Sequence, residues 1–528
     1  MSSNQWIMLI TMLVYMSMMV AIGFYVSKKN TTASGFFLGG RTLGPYVTAM
    51  SAEASDMSGW LLMGLPAVAM MCGLAEATWT AIGLAIGTYI NWLIVAKRLR
   101  LYSAKVDAFT IPDFFARRFG DKRRILTLVS ALFIVIFFIP YTASGFAACG
   151  KLFSALFGMD YTLAMILSAV VIVTYCTLGG FLAASLTDFI QSIVMTIALL
   201  IVLGLGEGLT GGFGQVFDNV KNVNVSGYLD IFKGYDPLKN EASTYGFLPV
   251  VSTLAWGLGY FGMPHVLLRF MGIEDANKLK VSRRVASIWV VISMGIAVLI
   301  GVAGFSLLKE GIIGPYEPDP TADNLLKSLI SDAETIIVDI ASYLSNFGII
   351  PSITAGIILA GILASTMSTA DSQLLAASSS ISQNLLVETF HIKMNEKTNM
   401  WIARFAVIEV SLIAVLLAMN PDSSVFEIVS FAWAGFGAAF GPIMLCALFW
   451  KRTTLPGAIA GMITGGAMVF IWKFLIAKLG DAFAIYELLP AFVLALIVTV
   501  VVSLCTKAPS KEITDAFDDV QKSVKAKN

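Results

Sequence analysis

Thirteen times along these 528 residues the chain runs for about eighteen residues or more with hardly a charge, long enough as a helix to cross the ~30 Å hydrocarbon core of a bilayer. No other feature constrains the fold as strongly. Hydrocarbon offers no water to backbone amides, so such runs must close their own hydrogen bonds as helices. The runs are 5–26, 44–70, 75–96, 125–148, 162–184, 189–209, 246–268, 285–308, 351–384, 402–419, 424–449, 455–477 and 485–506. Only 13% of residues are charged, against about 25% in soluble domains, which excludes an ordinary soluble enzyme. A net charge of +1 provides no field for nucleic acid. The expected class is an all-α polytopic membrane protein, its partner a lipid bilayer.

An odd number of crossings places the termini on opposite sides. With the N-terminus outside, the cytoplasmic loops and tail hold 27 Lys and Arg, the largest group between Lys97 and Arg124 and another from Arg269 to Arg284. The outer side holds 7, namely Lys151, Lys221, Lys233, Lys239, Lys309, Lys327 and Lys478, while Lys473 falls in a span. This asymmetry obeys the positive-inside rule, so the C-terminus is expected in the cytoplasm and the protein in the plasma membrane. The first run, followed by Lys28 and Lys29, reads as a retained span and not a signal peptide. Two outer segments are long, 210–245 and 309–350. The second is acidic (Glu310, Glu317, Asp319, Asp323, Asp332), and its stretch Glu334–Leu344 suits a solvated surface helix. Residues after Lys507 suit a short polar tail without an appended domain. Cys72, Cys149, Cys176, Cys446 and Cys505 have no CxxC spacing, and the two histidines are His265 and His391, too few for a disulfide framework or a His/Cys metal site.

Carboxylates and helix breakers inside hydrocarbon mark function. Span 2 reads AMSAEASDMSGWLLMGLPA (Ala49–Ala67), with Glu53 and Asp56 among small residues and Gly59, Gly64 and Pro66 after them. Span 7 reads LAWGLGYFGMPH (Leu254–His265), with three glycines and Pro264. The two lie five spans apart, an odd offset that inverts the second block relative to the first. Interrupted helices at matching positions of inverted halves point to the binding site of a secondary transporter. Unwound carbonyls suit a small cation and half-helix N-termini an anionic group. The same glycines also suit close helix packing. In span 9, Ser365, Ser368, Thr369 and Ser372 recur at spacings of three and four. They either bond back to their own helix or supply an all-oxygen cage for a hard monovalent cation. Glu207, Glu409 and Glu427 near span ends read as structural, and His265 as a satisfied polar residue lining the cavity.

GGRTLGP (Gly39–Pro45), SDMSGWLLMGLP (Ser55–Pro66), GGFLAASLTDFIQ (Gly179–Gln191), WGLGYFGMPH (Trp256–His265), MSTADSQLL (Met367–Leu375) and FAWAGFGAAFGP (Phe431–Pro442) together resemble the sodium:solute symporter family over nearly the whole chain. The resemblance implies a LeuT-type inverted five-helix repeat with one extra helix in front and two behind. The parts would be 1–43 (extra helix and cytoplasmic loop), 44–209 (first repeat), 210–245 (outer loop), 246–449 (inverted repeat), 450–506 (two final helices) and 507–528 (tail). It also implies secondary active uptake of L-proline with sodium as the coupling ion and no catalytic residue. Sodium would bind the carbonyls of Ala54, Met57 and Ser365 and the hydroxyls of Ser368 and Thr369. Proline would lie against Trp256, Tyr260 and Pro264, with Ser58, Trp60 and Tyr141 nearby. Asp56, Arg41 and Asp188 are positions tied to coupling. Two residues depart from the family pattern: Ser365 stands for an alanine, and Glu53 for a glycine, adding a second acid beside Asp56.

The rival substrates for the same machine are pantothenate or another amino acid, and span 7, with its aromatic pair and proline, favours proline. A channel would need a continuous polar pore. The orientation is tested by cysteines at Asp323 and Lys105: in intact cells an impermeant thiol reagent labels the first and not the second, and the reverse pattern overturns it.

Overall fold

The computed structural model describes residues 1–27, 33–222, 227–322, 324–421 and 424–526; Lys28, Lys29 and Asp323, named above, lie outside the described residues. Every predicted run coincides with helix. Among the described residues ten helices are long and apolar enough to cross a membrane, and three shorter apolar ones, Trp60–Cys72, Tyr161–Thr174 and Phe247–Phe261, fall in the other three runs. Outward-facing apolar residues such as Val14, Leu412, Leu416 and Ile497 give the bundle a surface suited to hydrocarbon.

Both flagged spans are broken. Span 2 is helical over Pro45–Asp56, leaves helical geometry at Met57 (ψ 58°), and resumes through a wide turn at Trp60–Gly64 into Leu65–Cys72. Span 7 runs Phe247–Leu254, tightens over Ala255–Phe261, extends at Met263 and restarts at Pro264–Gly272. Pro264 sits where its fixed φ and missing N–H do no harm, at the start of a helix. The expected gap between spans 5 and 6 moves upstream. Gly180 (φ 78°) separates Tyr161–Gly179 from Phe181–Leu209, a turn that glycine alone takes without strain, so Asp188 lies inside a helix. Span 9, Ile349–Ser379 with a continuation to Thr389, packs against spans 1, 4 and 6.

Three charged residues are not where the loop assignment puts them. Arg269 belongs to the second half-helix of span 7, Pro264–Gly272, and is buried. Lys151 belongs to the helix Ile125–Phe157 and is also buried; without these two the charge asymmetry stands at 26 to 6. Glu334, expected on a solvated helix, is fully buried. It accepts hydrogen bonds from Lys151 (2.6 Å), Ser424 (2.9 Å) and the amides of Val425 and Phe426 (3.0 and 3.1 Å), capping the positive N-terminal end of span 11. The helix that follows, Ile336–Ser345, turns Ile336, Ile337 and Ile340 inward, a face that the acidic setting hid. The other long segment between spans, 210–245, carries a helix, Phe213–Asn222, and an antiparallel hairpin of Lys233–Asp236 with Glu241–Thr244. Residues 511–526 form a helix docked on the bundle, in place of a free tail.

Spans 3 and 7 meet backbone to backbone. A methyl at Gly87 would stand 2.3 Å from the Gly257 carbonyl oxygen, and one at Gly257 2.3 Å from that of Gly83. The glycines of the break therefore serve close packing as well as unwinding. Gly87→Ala should lower the thermal unfolding midpoint in detergent, with a loss of about 1–3 kcal/mol as for overpacked cores; an unchanged midpoint would show that the approach is loose.

Candidate functional site

Where span 2 unwinds it meets the hydroxyl row of span 9. The Ser368 hydroxyl donates to the carbonyl of Ala54 at 2.8 Å and to that of Ser365 at 3.2 Å, and the Thr369 hydroxyl donates to Ser365 at 3.0 Å. Ser368 thus bonds to another span as well as to its own, and four of the five oxygen donors named from the sequence share one network. The fifth, the Met57 carbonyl, lies at the break itself. Neutral oxygens with few formal charges match a hard monovalent cation.

The acids of span 2 lie one turn apart. Asp56 accepts from the Tyr260 hydroxyl at 2.7 Å, and its own carbonyl accepts from Tyr141 at 3.1 Å. Glu53 accepts from the indole of Trp92 at 2.9 Å. Both are buried, and among the described residues no donor reaches Asp56 Oδ1 or Glu53 Oε2. Span 3 satisfies the span 7 break as well, Asn91 donating to the Tyr260 carbonyl at 3.0 Å.

Beside Asp56 lies a cavity of about 10 Å³, lined by Asp56, Met57, Trp60, Leu84, Tyr141, Trp256, Val429 and Trp433. That is the volume one water needs, so the walls must part to admit a larger solute. Of the substrate residues named from the sequence, Trp60, Tyr141 and Trp256 line it. Tyr260 reaches it through Asp56, Ser58 accepts from the Trp60 amide at 3.2 Å within the break, and Pro264 begins the half-helix beyond. His265, expected in the lining, is packed against Phe138 and Tyr141 instead.

Span 11 supplies what the sequence reading missed. The Trp433 indole donates to the Trp256 carbonyl at 2.7 Å, satisfying a group that the tight turn frees. Phe426 stacks on Trp60, with ring centres 6.2 Å apart, and contacts Trp256; Tyr486 of span 13 stacks on Trp256 at 5.1 Å. Phe426 and Tyr486 thus back the two lining tryptophans, Trp60 and Trp256. Trp433 was within a quoted motif, but an aromatic in an apolar helix carries no mark of its role.

On the opposite side Arg269 forms a buried ion pair with Asp188 (3.0 Å), donates to Ser51 (3.0 Å) and bonds to Ser372, while Ser51 also donates to Asp188 at 2.7 Å. One guanidinium thereby joins spans 2, 6, 7 and 9. The signal for it was the run VLLRFMG, a charge flanked by residues that must be buried. Arg41 lies outside this network. It donates to Ser103 and to the carbonyls of Met271, Ser103 and Ala108; burial lowers its pKa to about 10, so it stays cationic at neutral pH.

Two interrupted helices that meet at one small, polar-edged cavity inside a bundle define a secondary transporter of the inverted-repeat kind. The chain belongs to the Sodium:solute symporter family, whose pattern matches residues 36–465. It is 41% identical over 521 residues to the osmoregulated proline transporter of Bacillus subtilis (strain 168), covering 98% of this chain and 99% of that one. It is 40% identical over 511 residues to the sodium/proline symporter of Escherichia coli (strain K12), covering 97% and 95%. In fold it matches a sodium-coupled sialic acid symporter in a substrate-bound outward-open state, with a TM-score of 0.74, 17% identity and 96% and 99% of the two chains covered. It also matches Mhp1, a nucleobase-cation-symport-1 family transporter in a closed conformation, with a TM-score of 0.52, 15% identity and 93% and 99% coverage. The fold is the LeuT-type inverted repeat.

A buried ion pair deprived of one partner loses about 3–5 kcal/mol, whereas apolar replacement of both is far milder. Arg269→Met and Asp188→Leu should each lower the unfolding midpoint more than the double variant does. Additive losses would show that the pair is not coupled.

Proposed function

We propose that this protein takes up L-proline across the plasma membrane by coupling it to sodium entry, with the N-terminus outside and the C-terminus in the cytoplasm. The observation that carries the reading is the Ser368–Ala54 hydrogen bond, which brings the hydroxyls of span 9 to the break of span 2 beside an aromatic cavity. Two relatives at about 40% identity bear proline transport in their names. Residues 44–209 and 246–449 serve as the inverted halves.

Sodium takes the carbonyl oxygens of Ala54, Met57 and Ser365 and the hydroxyl oxygens of Ser368 and Thr369. The two hydroxyl hydrogens now spent on carbonyls must turn away, so the ion replaces hydrogen bonds between spans 2 and 9 with stronger contacts and stiffens the break. Asp56, at that break, sits between the ion and the cavity. Proline's secondary ammonium faces Asp56 and Tyr260, its carboxylate the N-terminal turns beyond the break at Ser58, and its ring the wall of Trp60, Tyr141, Trp256 and Trp433. Pro264 sets the direction of the lower half-helix. Glu53 adjusts the charge beside the ion, and Arg41 and Asp188 belong to the inner closure. Proline is a zwitterion, so one sodium per cycle moves one positive charge, worth about 2.3 kcal/mol per 100 mV, or nearly fifty-fold accumulation before any sodium gradient.

Uptake of labelled proline into proteoliposomes tests this directly: it should require sodium and rise with an inside-negative potential, and uptake indifferent to sodium refutes it. Ser368→Ala with Thr369→Ala should raise the sodium half-saturation at least about tenfold, at roughly 1–3 kcal/mol per ligand; unchanged sodium dependence places the ion elsewhere. Trp256→Ala, removing ring burial worth about 2 kcal/mol, should weaken proline about thirty-fold with sodium less affected. If Trp256→Ala and Tyr260→Ala both keep the parental proline half-saturation, the substrate assignment fails.

A further inference from the structure

The eight cavity residues come from two banks. Asp56, Met57 and Trp60 (span 2), Leu84 (span 3) and Trp256 (span 7) form one; Tyr141 (span 4), Val429 and Trp433 (span 11) form the other. At the charged inner face the first bank ends in Ala96–Lys105, the continuation of span 3. Its Arg100 donates to the Ile273 carbonyl at 2.7 Å, and Arg41 ties Ser103 to Met271, so it is one body with the lower half of span 7. The second bank ends in the short helix Ile111–Phe119. Arg118 of that helix donates to the Ala447 carbonyl of span 11 at 2.9 Å, and Thr110 at its cap accepts from Asn384, in the final turns of span 9, at 3.0 Å.

The C-terminal helix Lys511–Ala526 lies across the seam between these banks. Ile513, Phe517, Val520 and Val524 recur at spacings of four, three and four, one stripe of a helix. Phe517 packs on Tyr102 of the first bank, with ring centres 6.4 Å apart, and under the Arg118 guanidinium of the second at 5.1 Å. Ile513 abuts Gly120. Toward the first bank Asp519 pairs with Lys105 at 3.2 Å and the Val524 carbonyl accepts from Lys97 at 3.4 Å. Toward the second, Asp518 pairs with Lys451 and Gln521 donates to the Leu448 carbonyl at 2.9 Å.

We infer that this helix is a releasable strap that holds the inner ends of spans 3 and 11 together and so opposes opening of the cavity toward the C-terminal side. A sixteen-residue helix is marginal by itself in water, so docking and helix formation stand or fall together. Both ion pairs are about half exposed and are screened by salt, which makes the strap detachable. The inference rests on the reading of the chain as an alternating-access transporter; its test needs neither proline nor sodium, so the two can fail separately.

Spin labels are placed on cysteines at Ala104, on the first bank, and at Pro456, an exposed position at the start of span 12, which packs along span 11 of the second, in the full chain with Cys176 and Cys505 replaced by serine. Release is scored independently by trypsin cleavage after Lys511. Asp518→Asn with Asp519→Asn alters only exposed side chains; Phe517→Ser attacks the apolar stripe. In both variants cleavage should accelerate about tenfold, as the open population rises, and a second, longer distance between the labels should become populated. Accelerated cleavage with the parental distance overturns the strap. Unchanged cleavage in both variants overturns it too, because the contacts named would not be what holds the helix.

Discussion

A helix can be broken inside a bilayer only if other groups take over the hydrogen bonds that the break releases. The remaining features of the site follow from how that requirement is met at Met57 and again at Ala255–Met263. At the first break Ser368 and Tyr141 bind the carbonyls of Ala54 and Asp56. At the second, Trp433 and Asn91 bind those of Trp256 and Tyr260. Groups that satisfy a break are the groups placed to bind there. The donors come from spans 3, 4, 9 and 11, so each neighbouring helix is tied to the cavity by a particular bond.

Charges follow the same logic. The Arg269–Asp188 pair and the Lys151–Glu334 pair are both buried, and each joins segments distant in the chain: the first ties spans 2, 6, 7 and 9, the second ties span 4 to the start of span 11. Such pairs lose heavily when one partner is removed and little when both are, which fixes how the segments they join meet. Sodium shifts the balance between arrangements only through its differential affinity for them, and the span 2–span 9 contact is one that an ion can remake.

Much of this was legible in the chain. The thirteen runs and the breaks followed from apolarity, glycine and proline, because hydrocarbon leaves so few alternatives. Asp56 and the span 9 hydroxyls stood out as polar groups in apolar company. What could not be read were relations between helices. Trp433 differs from any lipid-facing tryptophan only by what its indole reaches. Arg269 and Lys151 read as loop cations because a charge beside an apolar run looks the same whether it ends the span or lies buried within it. Glu334 was hidden by acidic neighbours, and the docked C-terminal helix by its short, polar sequence.

On this mechanism one ion at the span 2–span 9 junction prepares the neighbouring cavity for proline. The decisive experiment is equilibrium binding of labelled proline to the purified protein, titrated across sodium concentrations. Coupling between sites is reciprocal, so sodium should tighten proline binding and proline should tighten sodium binding by the same factor, and Ser368→Ala with Thr369→Ala should abolish both effects. Proline affinity independent of sodium, or coupling that survives the double substitution, would contradict it.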